Sequence, residues 1–326
     1  MCRLFGMSTG GPRVRAAHWL LDAPRSLRVQ SHRMQHGAGL GWFSLGGEPV
    51  RDRAPVAAFE NTDFALHARN VLSHTFVSHV RDASVGDLTV HNCHPFVMND
   101  RLFAHNGVVK GHDTLRTWLS EVEYAHVAGE TDSELFFAYV TAEIRRQADT
   151  AAGITRAVRR IGAELPVYSL NFVLAEAGRM WALRYPESNE LWVLSPAEGG
   201  RSGPESEAGP PASVPAVIIA SEPMDDHPRW RPLEPGELLA VDGLAETSCF
   251  PFEPPRHPLR RSDLSAREAA SQEVVPVEPA VPAGPGAAGG GPDGSEPRTA
   301  VAAQNASLQR SVPAPRPESS QVSAGS

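Results

Sequence analysis

The sequence predicts an α+β protein that is built on antiparallel sheets, and two observations lead to this fold class. First, the 326-residue chain contains nine short runs rich in β-branched, aromatic and other apolar residues, bounded by Gly, Pro, Asn and Asp. Second, only three stretches have the periodicity of an amphipathic helix. Because strands and helices do not alternate strictly, a doubly wound parallel sheet is not expected.

The predicted elements follow one another along the first three quarters of the chain. The nine strands are residues 3–7, 40–44, 74–80, 102–105, 169–175, 180–184, 191–194, 217–220 and 238–241. The strongest helical pattern covers residues 132–146, where Phe136, Val140 and Ile144 recur every four residues on one face. Two further helices are expected at residues 62–71 and 151–164.

Composition predicts where the domain ends. Between residues 281 and 295, nine of fifteen residues are Gly or Pro, and the remainder of the chain has almost nothing to bury. Such a segment cannot recover the entropy lost on ordering. We therefore expect one domain over residues 2–260 and a disordered tail over residues 261–326, with a long exposed loop at residues 198–215.

Charge and composition exclude several classes of protein. The formal charge is −8, from 30 Lys and Arg against 38 Asp and Glu, and no basic cluster suggests a nucleic-acid partner. No apolar run approaches the roughly 18 to 20 residues of a membrane span, and the amino terminus does not have the pattern of a signal peptide. Only three cysteines are present, which argues against a disulfide framework. A cytoplasmic protein with reduced thiols is expected.

The first chemical signal is Cys2. Methionine aminopeptidase removes Met1 when the next side chain is small, and the mature chain would then carry a thiol and a free α-amine on one residue. The usual pKa of the amine is about 7.7 to 8.0 and that of the thiol about 8.5, so the amine can accept the thiol proton. Cys2 is therefore a candidate nucleophile with its own base. The alternative is an incidental cysteine before an edge strand of the core.

Two further signals suit recognition of an amino-acid substrate. Arg81 follows an apolar strand and precedes small residues, which suits a bidentate grip on a carboxylate, although a surface salt bridge is the alternative. Asn106 and Gly107 close the predicted strand 102–105. This pair is typical of a hairpin turn, but an Asn side-chain amide and a Gly N–H can also form an oxyanion hole.

Two other motifs also allow two interpretations. The run Thr131 to Glu134 matches a capping box at the start of the best helix, and within it Asp132 can present a carboxylate to a substrate ammonium. His91, Cys93 and His94 form a weak metal motif, because their spacing does not match the usual zinc patterns. Histidines packed in a loop are the alternative.

Taken in order, these pieces resemble the glutaminase domain of the class II glutamine amidotransferases, which are N-terminal nucleophile hydrolases. The matching motifs are MCRLFG, HGAGLGW, RDASVG, NCHPF, HNGVV, GETDSE and ASEP. The resemblance spans roughly residues 2–250 and implies a four-layer αββα sandwich.

The resemblance also implies a role for each matching residue. Cys2 is the nucleophile, Asn106 and Gly107 form the oxyanion hole, and Arg81 and Asp132 bind the α-carboxylate and α-amino groups of the substrate. Ser84 and His94 are supporting residues of the pocket. His36 stands where relatives commonly have Asp, and Cys93 also departs from the family pattern. The implied reaction forms a γ-glutamyl thioester and needs neither metal nor cofactor.

No acceptor domain follows the glutaminase-like part, which leaves several functions open. The protein can supply ammonia from glutamine to a separate synthase, hydrolyse a γ-glutamyl amide, or resemble the hydrolases that remove γ-glutamate from a thiol metabolite in ergothioneine synthesis. A non-catalytic scaffold that binds a partner or an amino acid is a different class of explanation. A metalloprotein with zinc at residues 91, 93 and 94 is another.

Overall fold

The computed structural model describes residues 2–203 and 213–272, and these contain two antiparallel sheets with helices. The first sheet has the strand order β11-β9-β10-β1-β4-β2-β3. Its strands are β1 (Arg3–Ser8), β2 (Ala38–Phe43), β3 (Pro49–Ala54), β4 (Thr75–Val80), β9 (Trp192–Leu194), β10 (Val217–Ala220) and β11 (Arg231–Pro232). Because β1 lies between β4 and β10, Cys2 precedes a central strand, and the edge-strand alternative is wrong.

The second sheet has the order β13-β12-β8-β7-β6-β5, and β14 pairs in parallel with the start of β7. Its strands are β5 (Phe96–Met98), β6 (Arg101–Val109), β7 (Pro166–Glu176), β8 (Arg179–Leu183), β12 (Leu238–Asp242), β13 (Ala245–Cys249) and β14 (His257–Pro258). The long pair β6 and β7 forms the middle of this sheet and carries the Asn-Gly motif.

Seven α-helices lie among the described residues, together with short π and 3₁₀ turns. They are α1 (Leu27–Gln30), α2 (Thr62–Asn70), α3 (His112–Thr117), α4 (Glu121–Tyr124), α5 (Asp132–Gln147), α6 (Thr150–Glu164) and α7 (Ala266–Ser271). Within residues 2–203 and 213–272, none of these helices combines the length and the apolar character that a membrane span requires.

Successive side chains of a strand point to opposite faces of its sheet, and this alternation divides the core into layers. In β6, Leu102 and Ala104 face the other sheet and share a cluster with Leu4 of β1. Phe103 lies between them and faces the other way, stacked on Phe137 of α5 with ring centroids 4.6 Å apart. On β1, Phe5 belongs to the outer cluster that also contains residues of α1 and α2. The layer order is therefore helix, sheet, sheet, helix, and the predicted fold class is confirmed.

All nine predicted strands and all three predicted helices are present. The largest error is in β6, which continues to Val109, so that Asn106 and Gly107 pair with Asn171 and Leu170 inside the sheet. The hairpin-turn interpretation is therefore wrong. The strands β3, β5, β11, β13 and β14 and the short helices α1, α3, α4 and α7 are not predicted.

The described structure continues beyond the predicted domain boundary at residue 260. Residues 261–263 form a 3₁₀ turn, and α7 follows at Ala266–Ser271. Leu264 packs with Val108 and Tyr168, which gives the segment a small core of its own. The predicted tail is thus wrong for residues 261–272, while residues 273–326 and part of the predicted loop, residues 204–212, lie outside the described residues.

Candidate active site

Six of the seven predicted site residues line one small cavity at the start of β1. They are Cys2, Arg81, Ser84, His94, Gly107 and Asp132. The seventh, Asn106, donates a hydrogen bond from Nδ2 to the carbonyl oxygen of Cys2 at 3.0 Å. Topology explains this meeting, because the start of β1, the end of β4 and the far end of β6 lie close together where α5 begins.

The thiol of Cys2 lies against the backbone of Asp82. The N–H of Asp82 donates to Sγ at 3.1 Å, and the thiol donates to the Asp82 carbonyl at 3.3 Å. Burial raises the pKa of the Cys2 thiol, whereas the N–H of Asp82 and the positive charge of the chain's amino terminus oppose that rise. A nearby base is therefore needed to form the thiolate near neutral pH.

The ASEP motif holds the beginning of β1. The N–H of Leu4 donates to Oγ of Ser221 at 2.9 Å, and the N–H of Ser221 donates to the Leu4 carbonyl at 3.2 Å. One residue earlier, Arg3 forms an ion pair with Glu222 at 3.2 Å. These contacts fix the backbone directly after Cys2.

Gly107 is a position where only glycine fits. A Cβ atom on this residue would lie 1.9 Å from the carbonyl oxygen of Ser169 and 2.7 Å from Nε2 of His105. Strand β7 therefore approaches β6 too closely for any side chain.

The guanidinium of Arg81 is buried, with 4% of the residue exposed. Nη2 donates to the carbonyl of Val85 at 2.8 Å, and Nη1 donates to the carbonyl of Asp87 at 3.2 Å. Arg81 thus faces the cavity and also holds the following loop, residues 82–87. The alternative of a surface salt bridge is wrong, because the side chain is buried and its partners are backbone carbonyls.

Asp132 links the start of α5 to the end of β6. Its Oδ2 accepts a hydrogen bond from the N–H of Val109 at 2.9 Å, and its Oδ1 accepts one from the N–H of Ser133 at 2.9 Å. The carboxylate is therefore fixed at the cavity wall. The Asp132 carboxylate and the Arg81 guanidinium therefore line the same cavity.

The capping box at α5 is half confirmed. Oγ1 of Thr131 accepts from the N–H of Glu134 at 3.2 Å, as predicted for the N-cap. The carboxylate of Glu134 instead accepts from the N–H groups of Ala128 and Gly129, at 3.1 and 2.6 Å. Glu134 therefore holds the turn before α5 rather than the N-cap residue itself.

His94 lies under the cavity beside a second buried histidine, His79, with ring centroids 4.2 Å apart. Both rings are buried, and their four nitrogen atoms have no hydrogen-bond partner among the described residues. Burial lowers the pKa of His79 to about 3 and holds the pKa of His94 well below its usual value. Both rings are therefore uncharged near neutral pH, and His94 contributes an uncharged side chain to the cavity that contains Cys2.

The metal motif does not assemble into a site. Cys93 is buried, and its thiol donates to the carbonyl of Thr89 at 3.3 Å, whereas His91 is exposed on a 3₁₀ turn. Across residues 2–203 and 213–272, no three His, Cys, Asp or Glu side chains meet as a metal ion requires.

A comparison with family models identifies the family of this chain. The model of the class-II glutamine amidotransferases matches residues 1–198. The chain belongs to this family. It is therefore an enzyme of the class-II glutamine amidotransferases, and the resemblance of its motifs is confirmed.

The relatives of this amidotransferase include proteins that align with it over most of their own length. The γ-glutamyl-hercynylcysteine sulfoxide hydrolase of Mycobacterium tuberculosis is 31% identical over 251 residues, which cover 74% of this chain and 93% of the relative. A putative glutamine amidotransferase of Haemophilus influenzae is 22% identical over 254 residues, 73% of this chain and 83% of the relative.

Solved structures agree on the fold. A glutamine aminotransferase class-II domain protein from Silicibacter pomeroyi superimposes with a TM-score of 0.56 at 21% identity, covering 78% of this chain and all of the other. The glutamine phosphoribosylpyrophosphate amidotransferase of Bacillus subtilis gives 0.54 at 19% identity, covering 77% of this chain and 49% of the other. These likenesses concern the fold alone.

The amidotransferase cavity also contains residues that the sequence does not predict as site residues: Asp82, Val85, His105, Ser133, Gln272, and Thr131, which is predicted only as a helix cap. His105 accepts from Oγ of Ser133 at Nδ1, 2.8 Å away, because its Nε2 must donate to the Ser169 carbonyl at 3.3 Å. His105 is the neighbour of Asn106 and Ser133 is the neighbour of Asp132, so the motifs that contain the predicted site residues could have identified both. Gln272 lies beyond the predicted domain boundary at residue 260. The sequence signal for α7 is the capping box formed by Ser265 and Glu268.

His36, the departure noted in the glycine loop, contacts the same region. Its Nδ1 lies 3.0 Å from Oδ1 of Asp82 and 3.1 Å from the N–H of Ala83. The pair of His36 and Asp82 is part-exposed. The residue at position 36 therefore supports the loop after Arg81.

Proposed function

We propose that this enzyme hydrolyses γ-glutamyl amides, with Cys2 as nucleophile, and that its substrate is a larger γ-glutamyl amide rather than glutamine itself. The observation that carries this proposal is the cavity that contains the Cys2 thiol together with Arg81 and Asp132. A thiol beside one fixed cation and one fixed anion suits a substrate with a free α-carboxylate, a free α-amine and a γ-carbonyl.

In the proposed complex, Arg81 grips the α-carboxylate and Asp132 accepts hydrogen bonds from the α-ammonium. Burial of Arg81 and the two backbone donors to Asp132 support these roles, because they keep both charges in place before the substrate arrives. Ser84 and His94 line the remaining wall and support the pocket.

The reaction begins when the Cys2 thiol transfers its proton to the α-amine of Cys2, exposed by removal of Met1. The thiolate attacks the γ-carbonyl, a C–S bond forms, and the negative charge moves to the carbonyl oxygen. Asn106 and Gly107 donate hydrogen bonds to that oxyanion. The ammonium then gives its proton to the leaving nitrogen as the C–N bond breaks, which releases the amine and leaves a γ-glutamyl thioester.

Water completes the cycle. The α-amine takes a proton from the attacking water, the second tetrahedral intermediate collapses, and the C–S bond breaks. Glutamate leaves, and the thiol regains its proton. No metal or cofactor takes part in this proposed sequence.

The larger substrate is supported by two relatives that align over nearly their whole length. Two of them are γ-glutamyl-hercynylcysteine sulfoxide hydrolases, from M. tuberculosis and Mycolicibacterium smegmatis, and the aligned part covers 93% and 96% of their lengths. We propose γ-glutamyl-hercynylcysteine sulfoxide as the substrate of this chain as well. Transfer of ammonia to a separate synthase is the second proposal, and it requires glutamine as the preferred substrate.

The test is glutamate release by the purified full chain, with γ-glutamyl-hercynylcysteine sulfoxide and L-glutamine compared at equal concentrations. Cys2→Ala removes the proposed nucleophile, and Cys249→Ala is the matched control because Cys249 is an exposed thiol. We expect release from the sulfoxide to need Cys2 and to be unaffected by the change at Cys249. Glutamate release that persists in Cys2→Ala contradicts the proposal. A preference for glutamine over the sulfoxide favours the second proposal, transfer of ammonia to a separate synthase.

A second variant tests substrate recognition. Arg81→Ala should raise KM strongly, because the α-carboxylate loses its bidentate partner. Unchanged kinetics in this variant would remove the main support for the proposed binding mode. Intact mass of each protein establishes that Met1 is absent.

A further inference from the structure

Helix α7 lies beyond the 198 residues that match the family model, yet it reaches the cavity of Cys2. Gln272 directly follows α7 and lines that cavity together with Cys2. The proposed reaction gives no role to this segment. Its contacts show how it is attached and what it holds.

The anchor of α7 is an ion pair with the end of β6. Nζ of Lys110 donates to both carboxylate oxygens of Glu268, at 2.5 and 2.7 Å. The Glu268 side chain is only 6% exposed, and this pairing lowers the pKa of its carboxyl together with hydrogen bonds from Ser265. Lys110 directly follows Val109, and the N–H of Val109 donates to Asp132, one of the predicted site residues. The ion pair that anchors α7 therefore lies next to the backbone that holds Asp132.

Gln272 is fixed in the cavity wall. Its Oε1 accepts from Nδ2 of Asn189 at 2.9 Å, and its Nε2 lies 3.3 Å from Oγ of Ser271. The residue is 3% exposed. Asn189 in turn accepts a hydrogen bond at its carbonyl from Asn171 of β7. The Gln272 carboxamide is therefore a fixed part of the cavity wall.

The third contact of α7 is with loop 82–87, which carries the backbone that holds the Cys2 thiol. Nε of Arg267 donates to the carbonyl of Ala83 at 3.2 Å, and Nη2 donates to the carbonyl of Gly86 at 3.3 Å. Arg81, which lines the cavity, donates to two other carbonyls of the same loop, those of Val85 and Asp87. Two guanidinium groups thus hold one short loop.

We propose that α7 and Gln272 form a wall of the substrate site and that Arg267 holds loop 82–87 closed over Cys2. This inference rests on the proposed function, because a substrate carboxylate on Arg81 competes with the loop carbonyls for the Nη1 and Nη2 protons. Arg267 then holds the loop when Arg81 is engaged by substrate. Arg267 and Gln272 are positioning residues, and they set access to the thiol.

The test measures how fast iodoacetamide alkylates Cys2 in the full chain, relative to the exposed Cys249 of the same molecules, by peptide mass analysis. Arg267→Ala removes both hydrogen bonds to the loop. Because each is worth a few-fold in an equilibrium constant, the ratio of rates should rise roughly three- to tenfold. Arg156→Ala, at an exposed arginine of α6, should leave the ratio unchanged.

Two further variants separate a positioning role from a purely structural one. Arg267→Lys restores the charge and one donor group, so the ratio should return part of the way to the wild-type value. Gln272→Ala should raise KM for γ-glutamyl-hercynylcysteine sulfoxide several-fold, with little change in kcat and in the unfolding midpoint. An unchanged alkylation ratio in Arg267→Ala, or an unchanged KM in Gln272→Ala, overturns the inference.

The two proposals fail in different ways. A wild-type protein that releases no glutamate from any γ-glutamyl amide contradicts the proposed function, and the alkylation ratio still reports whether α7 covers Cys2. An active wild-type protein whose ratio does not respond to Arg267→Ala contradicts the role of α7 alone.

Discussion

The sulfur of Cys2 lies between the N–H and the carbonyl of Asp82, 3.1 Å from the donor nitrogen and 3.3 Å from the acceptor oxygen. Asp82 directly follows Arg81, so one peptide unit relates the thiol to the proposed carboxylate-binding group. The backbone therefore places the thiol next to the start of the Arg81 side chain, and the carbonyls of Val85 and Asp87 fix the guanidinium at its other end.

Asn106→Ala should lower kcat for glutamate release by about two to three powers of ten and change KM little. The loss of one oxyanion donor has this size because the donor acts mainly in the transition state. Asn106→Asp is the matched variant, since it keeps the shape but removes the donor, and it should be at least as slow. Steady-state kinetics check this, and a kcat near the wild-type value in both variants contradicts the oxyanion role.

Asp132→Asn should raise KM roughly ten- to hundredfold, because a buried charged partner of the α-ammonium becomes neutral. Asparagine keeps an oxygen that can accept from the N–H of Val109, so the local fold should persist. The control is glutaramate, a γ-amide without the α-amino group. Its rate should be low with the wild-type enzyme and should fall no further in the variant. An equal loss for both substrates indicates a structural effect only.

Gly107→Ala should destabilise the fold as well as stop the reaction. The new Cβ would lie 1.9 Å from the Ser169 carbonyl, and overpacking of this kind typically costs about 1 to 3 kcal/mol or more. Gly11→Ala is the matched control, because its Cβ would have no atom within 4 Å. Urea unfolding should show a lower midpoint for Gly107→Ala only. Equal midpoints would show that β6 can move away from β7.

The buried histidine pair predicts how stability depends on pH. The pKa of His79 is about 3 in the fold, against about 6.5 in the unfolded chain. Below pH 6.5 the unfolded chain therefore binds more protons, so stability present at neutral pH is lost as the pH falls toward 3. At pH 5, His79 should account for a loss on the order of 2 kcal/mol relative to pH 7.

His79→Phe tests this dependence, because phenylalanine has a ring of similar size that cannot take a proton. The decrease in the free energy of unfolding between pH 7 and pH 5 should be smaller in this variant. His91→Phe, at an exposed histidine, should show the wild-type decrease. Urea unfolding at both pH values measures it. The same decrease in all three proteins would mean that His79 does not remain neutral.

Sequence alone predicts the elements that are buried on both sides. Apolar strands such as β1, β4 and β10 and the periodic helix α5 are evident, since their residues face the core. Strand β3 is missed because it is an edge strand rich in charge: its Arg51 and Arg53 donate to backbone carbonyls of the segment before β5. Strand β13 is missed for the same reason, as most of its residues are exposed.

The candidate site shows where sequence reasoning reaches its limit. Motif residues such as Cys2 and Asp132 were identified from chemistry and resemblance, and they line one cavity. Asp82 was not identified because it acts through its backbone, which every residue type has. Gln272 is not predicted because it follows a helix of only six residues and lies shortly before the Pro- and Gly-rich stretch that begins at residue 281, and composition averaged over a longer window hides such a helix.

The most direct test of the account is to capture the γ-glutamyl thioester. The full chain is mixed with γ-glutamyl-hercynylcysteine sulfoxide, quenched in acid within the first turnovers, and digested for peptide mass analysis. We predict an added glutamyl group on the peptide that begins with Cys2, absent in Cys2→Ala and unaffected by Cys249→Ala. Glutamate release at the wild-type rate without any adduct on Cys2, or with an adduct on another residue, would contradict the account.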